Sequence, residues 1–263
     1  MPEVRRNGPD HREHRRPAGH RADPESSGQK RSSWTVAGQP GTAWHRQAGR
    51  ASRLASLKRR KPVSGRVPSG RGPAALVPLV RLKRQLGIEA LSPLHRLDRD
   101  TAGVMLFSVQ QATRGAYQAL FRDRRITKHY EAVAPWRQGI VFPLTRSSRI
   151  EESQQFFRTQ EVEGAPNAQT HIELLRLLAD GAHALYRLEP VSGKRHQLRV
   201  HMAALGLPLV HDHFYPVVND PPEGDYSEPL QLLARRIAFV DPLTGDERVF
   251  ESRRVLACAQ PGA

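Results

Sequence analysis

The distribution of large apolar side chains along the chain limits where a folded core can form. The first 80 of the 263 residues contain no Ile, Phe or Tyr, and no acidic residue occurs between Glu25 and Glu89. Arg, Pro, Gly, Ala, Ser and His dominate, and such a composition buries too little apolar area to offset the entropy lost on ordering. We therefore predict two parts: a basic low-complexity segment over residues 1–78 and a packed domain over residues 79–263.

The formal charge is concentrated in the same N-terminal segment. Residues 1–80 hold 17 Lys and Arg against 5 Asp and Glu, a net +12 of the total +15, whereas the remainder carries only +3. A basic tail is typical of an arm that binds nucleic acid. The composition is also typical of a GC-rich gene translated in the wrong frame, with the true frame resuming near Leu79. The sequence leaves both interpretations open: a disordered basic tail, or a frame-shifted, mistranslated segment.

Composition also bears on the compartment. The sequence has no apolar run long enough to span a membrane and no apolar N-terminal stretch of the signal-peptide type. Cys258 is the only cysteine, so no internal disulfide can form. We expect a cytoplasmic protein that does not associate with membranes, has no obligate protein partner and is a monomer.

The hydrophobic pattern after residue 78 predicts more strands than helices, with turn signals such as Asp180-Gly181 between them. The predicted helices are 79–88, 110–125 and 194–206, and the predicted strands are 103–109, 126–135, 154–162, 169–179, 183–191 and two within 229–252. Consecutive hairpins of this kind favour an α+β fold with a mixed, mostly antiparallel central sheet and flanking helices.

Three segments together resemble one family, the RluA-type RNA pseudouridine synthases. They are HRLDRDTAGVMLFS (95–108), RRITKHYEAVAP (124–135) and SGKRHQLRVHMAALGLPLVHDHFYP (192–216), and LQLLARRIAFVDPLTG (230–245) is similar to the family's C-terminal strand. Two features depart from the family pattern. The Lys-Pro turn that opens the catalytic domain is matched only by Lys61-Pro62, without apolar strands around it. The usual Gly-Asp turn after the last helix is His211-Asp212.

The resemblance implies an isomerase that converts uridine to pseudouridine in ribosomal or transfer RNA without a cofactor or metal. It implies that Asp98 is the catalytic nucleophile, that Arg199 pairs with it, and that Tyr130 stacks on the target base and helps to move the C5 proton. From the residues alone, Asp98 lies in a charged loop before an apolar strand, where many enzymes hold a reactive group. Other roles for these residue types are a loop ion pair for Asp98 and a core aromatic for Tyr130.

Further residues are expected to contact the RNA. Arg96 is the side chain that would hold the target nucleotide out of the stack, and the remaining candidates are His95, Lys128, Arg195 and His196. A metal site formed by His201, His211 and His213 is disfavoured, because no cysteine or carboxylate completes it. The alternative function is a catalytically inactive RNA-binding protein with an incomplete synthase fold.

Overall fold

The computed structural model describes residues 34–37, 73–219, 225 and 227–260, and for 34–37 and 73–78 it describes the backbone only. Within these ranges the helices are α1 (Pro73–Leu86), α2 (Gln111–Arg122), α3 (Gln197–Ala204) and one 3-10 turn, Ala257–Ala259. The strands are β1 (Trp34–Ala37), β2 (Ser92–Pro93), β3 (Ala102–Gly103), β4 (Met105–Ser108), β5 (Ile126–Pro135), β6 (Leu144–Glu152), β7 (Thr159–Val162), β8 (Ala168–Leu177), β9 (His183–Pro190), β10 (Leu232–Val240) and β11 (Glu247–Glu251).

A large sheet organises the molecule. Its strand order is β11-β10-β5-β9-β8-β6-β7, and these neighbours are antiparallel. The short strand β3 adds to β10 in the parallel sense, with Leu233 opposite Ala102 and Ala234 opposite Gly103. The sheet is therefore mixed and mostly antiparallel, which confirms the predicted fold class.

A smaller sheet has the order β1-β4-β2 and is antiparallel. Strand β4 is buried along its whole length, as its three consecutive large apolar residues favour. Helix α2 packs on this region through Tyr117 and Leu120, which join a core cluster with Leu106 and Phe239. The charged loop that precedes β4 is therefore held against a rigid, buried strand.

Helix α3 packs on the large sheet. Leu198 and Met202 of α3 lie in the largest core cluster, together with Ala132 of β5 and Tyr186 and Leu188 of β9. Burying one such apolar side chain stabilises the fold by about 1.5–3 kcal/mol. This contact fixes α3 over the strand that carries Tyr130.

The structure differs from the sequence prediction at several elements, including the short strand β2, which was not predicted. Strand β6 was not predicted, because its only buried residue is Ile150 and its sequence lacks apolar alternation. The strand predicted over 154–162 begins only at Thr159, since residues 153–158 form a turn. Helix α1 begins at Pro73 and β1 forms at Trp34–Ala37, so both place regular structure inside the segment 1–78, where disorder was expected. The rest of that segment lies outside the described residues, and the division at residue 78 stays a prediction.

Candidate active site

Asp98 lies in the loop between β2 and β3, and neighbouring residues fix this loop. Leu94 and Leu97, which precede Asp98, are buried in the core. The ring of His95 stacks on Phe121 at 4.7 Å, and its Nε2 accepts a hydrogen bond from the backbone N–H of Leu106 in β4 (3.0 Å). The aspartate is thus presented from an anchored backbone.

The carboxylate of Asp98 is half-buried and, in the part of the chain that is described, receives no hydrogen bond from any donor. Burial raises its pKa above the ordinary aspartate value, because a desolvated carboxylate is disfavoured in its charged form. The positive charges of Arg199 and then Arg195 oppose this shift, while Asp100 and Asp212 add to it. Asp98 is therefore a carboxylate whose ionisation depends on two nearby guanidinium groups.

Arg199 is the most deeply buried of the expected site residues, with only 1% of the residue exposed. Its Nε and Nη2 donate to the two carboxylate oxygens of Asp212 at 2.8 and 2.5 Å. The backbone N–H groups of Phe214 (2.9 Å) and Tyr215 (3.1 Å) also donate to Asp212. Asp212 is thereby saturated with donors and locks the guanidinium in one orientation.

Arg199 has a hydrogen-bonded partner other than Asp98, so its pairing with Asp98 through charge stays a prediction. The hydrogen-bonded partner of Arg199 is Asp212, and Asp98 interacts with the guanidinium only through its charge. The physical reason is geometric, since the planar guanidinium matches both oxygens of Asp212 at once. Sequence reasoning noted Asp212 as part of a turn and missed this role, although the second position of the family's Gly-Asp turn was the available signal.

The turn that carries Asp212 also explains why glycine is usual one residue earlier. His211 has a φ of 58°, in the left-handed region that side chains with a Cβ disfavour. The histidine nevertheless adopts this conformation, and Asp212 reaches Arg199. The departure from the family pattern at residue 211 therefore leaves the ion pair intact.

Tyr130 lies in β5, opposite Ala234 of β10 and Leu188 of β9. It packs against the core clusters on both sides of the strand. Burial, followed by the negative charge of Asp98, raises the pKa of the Tyr130 hydroxyl. The structure thus brings Tyr130 within electrostatic range of Asp98 and keeps its phenol protonated at neutral pH.

The two basic candidates nearest this loop occupy different environments. Arg96 is exposed beside Asp98. Lys128 is partly buried and its Nζ donates to the carbonyl oxygen of Ser192 at 3.0 Å. Burial, followed by the charge of Arg124, lowers the pKa of Lys128 to about 8. Arg96 is the more available of the two for RNA, and both contacts stay predictions.

Arg195 and His196 precede α3. The Nη1 of Arg195 donates to the carbonyl oxygen of Phe156 at 2.8 Å. His196 is buried, and its Nδ1 lies 3.0 Å from the hydroxyl of Tyr215. Burial lowers the pKa of His196 to about 3 and that of His95 to about 4, so both rings are neutral at physiological pH. These two histidines are engaged within the protein, and their predicted contact with RNA remains untested.

Of the three histidines considered for a metal site, His201 is already hydrogen-bonded within the protein. His201 is buried between the hydroxyls of Ser148 (3.0 Å) and Thr170 (2.9 Å). Across the described ranges, no three His, Cys, Asp or Glu side chains are grouped as a metal site requires.

Over the same residues, no helix is both long and apolar enough to cross a membrane.

Comparison with known proteins defines the class of this fold and site. A family model described as RNA pseudouridylate synthase matches residues 77–204. The solved structure of human RNA pseudouridylate synthase domain containing 1 is similar with a TM-score of 0.55 and 23% identity, over 66% of this chain and 74% of that chain. That of human RNA pseudouridylate synthase domain containing 4 has a TM-score of 0.53 and 24% identity, over 72% and 82%. The fold is that of the pseudouridine synthases.

Sequence relatives narrow the class further. The dual-specificity RNA pseudouridine synthase RluA of Haemophilus influenzae is 31% identical over 179 residues, which is 66% of this chain and 77% of that protein. The RluA of Escherichia coli is 34% identical over 167 residues, 60% of this chain and 71% of that protein. The chain belongs to the RluA-type family of RNA pseudouridine synthases, which are isomerases.

Proposed function

We propose that this chain isomerises specific uridines in ribosomal or transfer RNA and that Asp98 is the nucleophile. The observation that carries the proposal is the state of Asp98: a half-buried carboxylate that accepts no hydrogen bond from the described residues and lies under the charge of two arginines. A carboxylate without fixed partners remains free to attack a substrate carbon. A cytoplasmic location and a monomeric state are part of the same proposal.

The reaction is an isomerisation, so its atoms balance within the nucleotide and solvent. The bond between N1 of the base and C1′ of the ribose breaks, and a bond between C5 and C1′ forms. The proton on C5 is lost and N1 gains one. Asp98 attacks either the sugar carbon or a carbon of the base and leaves again in a later step, as nucleophilic catalysis requires.

Arg199 acts by its charge. Held by Asp212, its guanidinium opposes the upward shift that burial causes in the pKa of Asp98. Two donors of the Arg199 guanidinium are already used by Asp212. Arg199 therefore stabilises the anion of Asp98 by its charge and does not hold that carboxylate by a hydrogen bond. The charge of Arg199 thus favours the ionised form of Asp98, while the carboxylate stays free to move toward the substrate.

Tyr130 supplies a flat aromatic face beside Asp98. An aromatic ring suits a base that has left the RNA stack, because it replaces the stacking energy at a low cost in side-chain entropy. The raised pKa of Tyr130 favours this role for the neutral phenol. Arg96 at the mouth of the loop would then hold the nucleotide out of the helix, with Lys128 and Arg195 near the backbone phosphates.

The test is the substitution Asp98→Asn, since Asn is nearly isosteric and cannot act as the nucleophile. We expect tritium release from RNA labelled at C5 of uridine to be abolished, with the thermal midpoint of unfolding retained. Asp123→Asn, at an exposed aspartate after α2, is the matched control and should keep full activity. Full activity of Asp98→Asn would remove this residue from the mechanism. A wild-type chain that binds RNA and releases no tritium would instead be the inactive RNA-binding protein.

A further inference from the structure

The turn that joins β6 to β7 displays an exposed aromatic residue. Phe156 lies in this turn with 82% of its surface exposed. The turn itself is closed by hydrogen bonds from the N–H of Ser153 to the carbonyl of Arg158 (3.2 Å) and from the N–H of Arg158 to the carbonyl of Gln155 (2.8 Å). The ring is therefore presented to solvent from an ordered backbone.

A series of ring contacts connects this turn to the candidate active site. Phe156 meets Phe157 edge-on at 5.6 Å, and Phe157 contacts Phe214 at 5.3 Å. The guanidinium of Arg199 lies 5.0 Å from the centre of the Phe214 ring. The exposed ring is the outer end of a packed series whose inner end is the arginine that influences Asp98.

Two arginine side chains lie at the same turn. Arg195 donates to the carbonyl oxygen of Phe156, and its charge also lowers the pKa of Asp98. One side chain thus links the turn and the nucleophile. Arg158 is fixed beside it by a hydrogen bond to the carbonyl of Pro216 (3.0 Å) and by its position over the ring of Tyr215 (4.8 Å). An exposed aromatic ring on a turn that also holds two arginine side chains matches the chemistry of single-stranded RNA, which offers bases to stack and phosphates to pair.

We propose that Phe156 stacks on an unpaired base of the substrate RNA that flanks the target uridine. The inference rests on the proposed function and adds a second aromatic contact outside the catalytic pocket. Stacking on a ring is tolerant of base identity but requires a base that is free of its duplex neighbours. Phe156 therefore selects for an unpaired strand next to the uridine and not for a particular sequence.

The experiment compares two probes that differ only in pairing: a short oligouridine and its duplex with oligoadenine. Phe156→Ala should weaken oligouridine binding roughly 10-fold, as loss of one base–aromatic stack does, while affinity for the duplex is retained. Phe156→Trp should restore oligouridine binding, and Phe156→Leu, which is apolar without a π face, should not. Val249→Ala is the control: Val249 is an exposed apolar residue on β11, at the other end of the strand order from β7.

Three outcomes would overturn the inference. Unchanged oligouridine affinity in Phe156→Ala would show that the ring does not touch RNA. Equal losses for both probes would show an effect on charge or folding. A change of oligomeric state with constant RNA affinity would identify a protein interface. Affinity is measured here without turnover, so failure of this inference is distinguishable from failure of the tritium-release test of Asp98.

Discussion

Two carboxylates influence the same guanidinium in this protein, and their surroundings differ. Asp212 accepts four hydrogen bonds, two from Arg199 and two from backbone N–H groups. Asp98 accepts none from the described residues and experiences Arg199 only as a nearby charge. A charged pair as deeply buried as that of Arg199 and Asp212 is a weak source of net stability, because desolvation offsets most of its attraction. The main effect of the ion pair is to fix the position of the Arg199 guanidinium relative to Asp98.

The pH dependence of the reaction follows from these charges. The proposed nucleophile, Asp98, must be ionised to react, so we expect the rate to rise as pH increases through its pKa. Because Arg195 lowers that pKa, Arg195→Gln should raise it and move the acidic limb of the rate profile to higher pH. Lys194→Gln, at the exposed neighbour, is the control and should leave the limb in place. Single-turnover rates across pH make the measurement, and an unmoved or lowered limb in Arg195→Gln would contradict the role of that charge.

At this scale the motifs located the candidate residues, and the structure supplied their connections. Asp98, Tyr130 and Arg199 were identified by their segments, and the structure brings Tyr130 and Arg199 each within electrostatic range of Asp98. The hydrogen-bonded partner of Arg199 was missed despite the signal of the family's Gly-Asp turn, because two aspartates compete and the choice depends on how the turn at His211 folds back on α3. The exposure of the Phe156 ring was not predicted either, because the sequence around it resembles the start of a strand.

Among the elements, the two-residue strand β3 has an effect out of proportion to its length. It pairs in parallel with β10, and the N–H of Val104 donates to the carbonyl of Ala234 at 3.0 Å. This pairing fastens the loop of Asp98 to the strand that neighbours Tyr130. The close approach is possible because Gly103 has a φ of 122° and no Cβ.

Gly103→Ala should therefore disrupt both the fold and the site. A Cβ at this position would lie 2.6 Å from the backbone nitrogen of Ala234, a contact that only a shift of β3 can relieve. We expect a loss of about 3 kcal/mol or more in the free energy of unfolding, together with loss of pseudouridine formation.

Gly115→Ala is the matched control. Gly115 lies exposed in α2 with open space around its Cα, so alanine should stabilise the helix by up to about 1 kcal/mol. Urea unfolding of both variants makes the comparison. Equal stabilities for the two variants would show that β3 does not depend on the glycine.

Strands were predicted correctly where the local hydrophobic pattern and turn signals were strong. Strand β5 was predicted with the bounds that the structure has, because its alternation ends at a proline. Strands β8 and β9 were found through their Asp-Gly turn. Strand β6 was not, since its sequence is polar and its position is set by pairing with β8. Tertiary contacts, which single-sequence patterns do not contain, decide such a strand.

Over the whole molecule, the formal charge is unevenly distributed along the sequence. The segment up to residue 80 carries +12, whereas the remaining residues carry +3. We therefore expect long-range attraction to RNA to depend mainly on the N-terminal segment. This charge belongs to the chain whether the segment arose as a basic arm or as a frame-shifted product.

The salt dependence of RNA binding measures that contribution. Replacing Lys58, Arg59, Arg60 and Lys61 by Gln should lower the slope of log affinity against log salt by up to about 3 units, because fewer counterions are released from a single strand. Ser56→Ala and Ser64→Ala in the same segment remove no charge and should leave the slope unchanged. A constant slope in the fourfold variant would show that these charges do not reach the RNA.

The clamp on Arg199 has a consequence for the origin of the catalytic rate. A free arginine side chain carries about 2 kcal/mol of rotamer entropy, and Asp212 removes that freedom when the protein folds. The dipoles and charges around Asp98 consequently need little rearrangement when the uridine arrives, which is the condition under which an electrostatic environment accelerates a reaction. Part of the folding free energy is thus used to fix the orientation of the Arg199 guanidinium before any RNA binds. The binding of RNA then does not have to order this side chain.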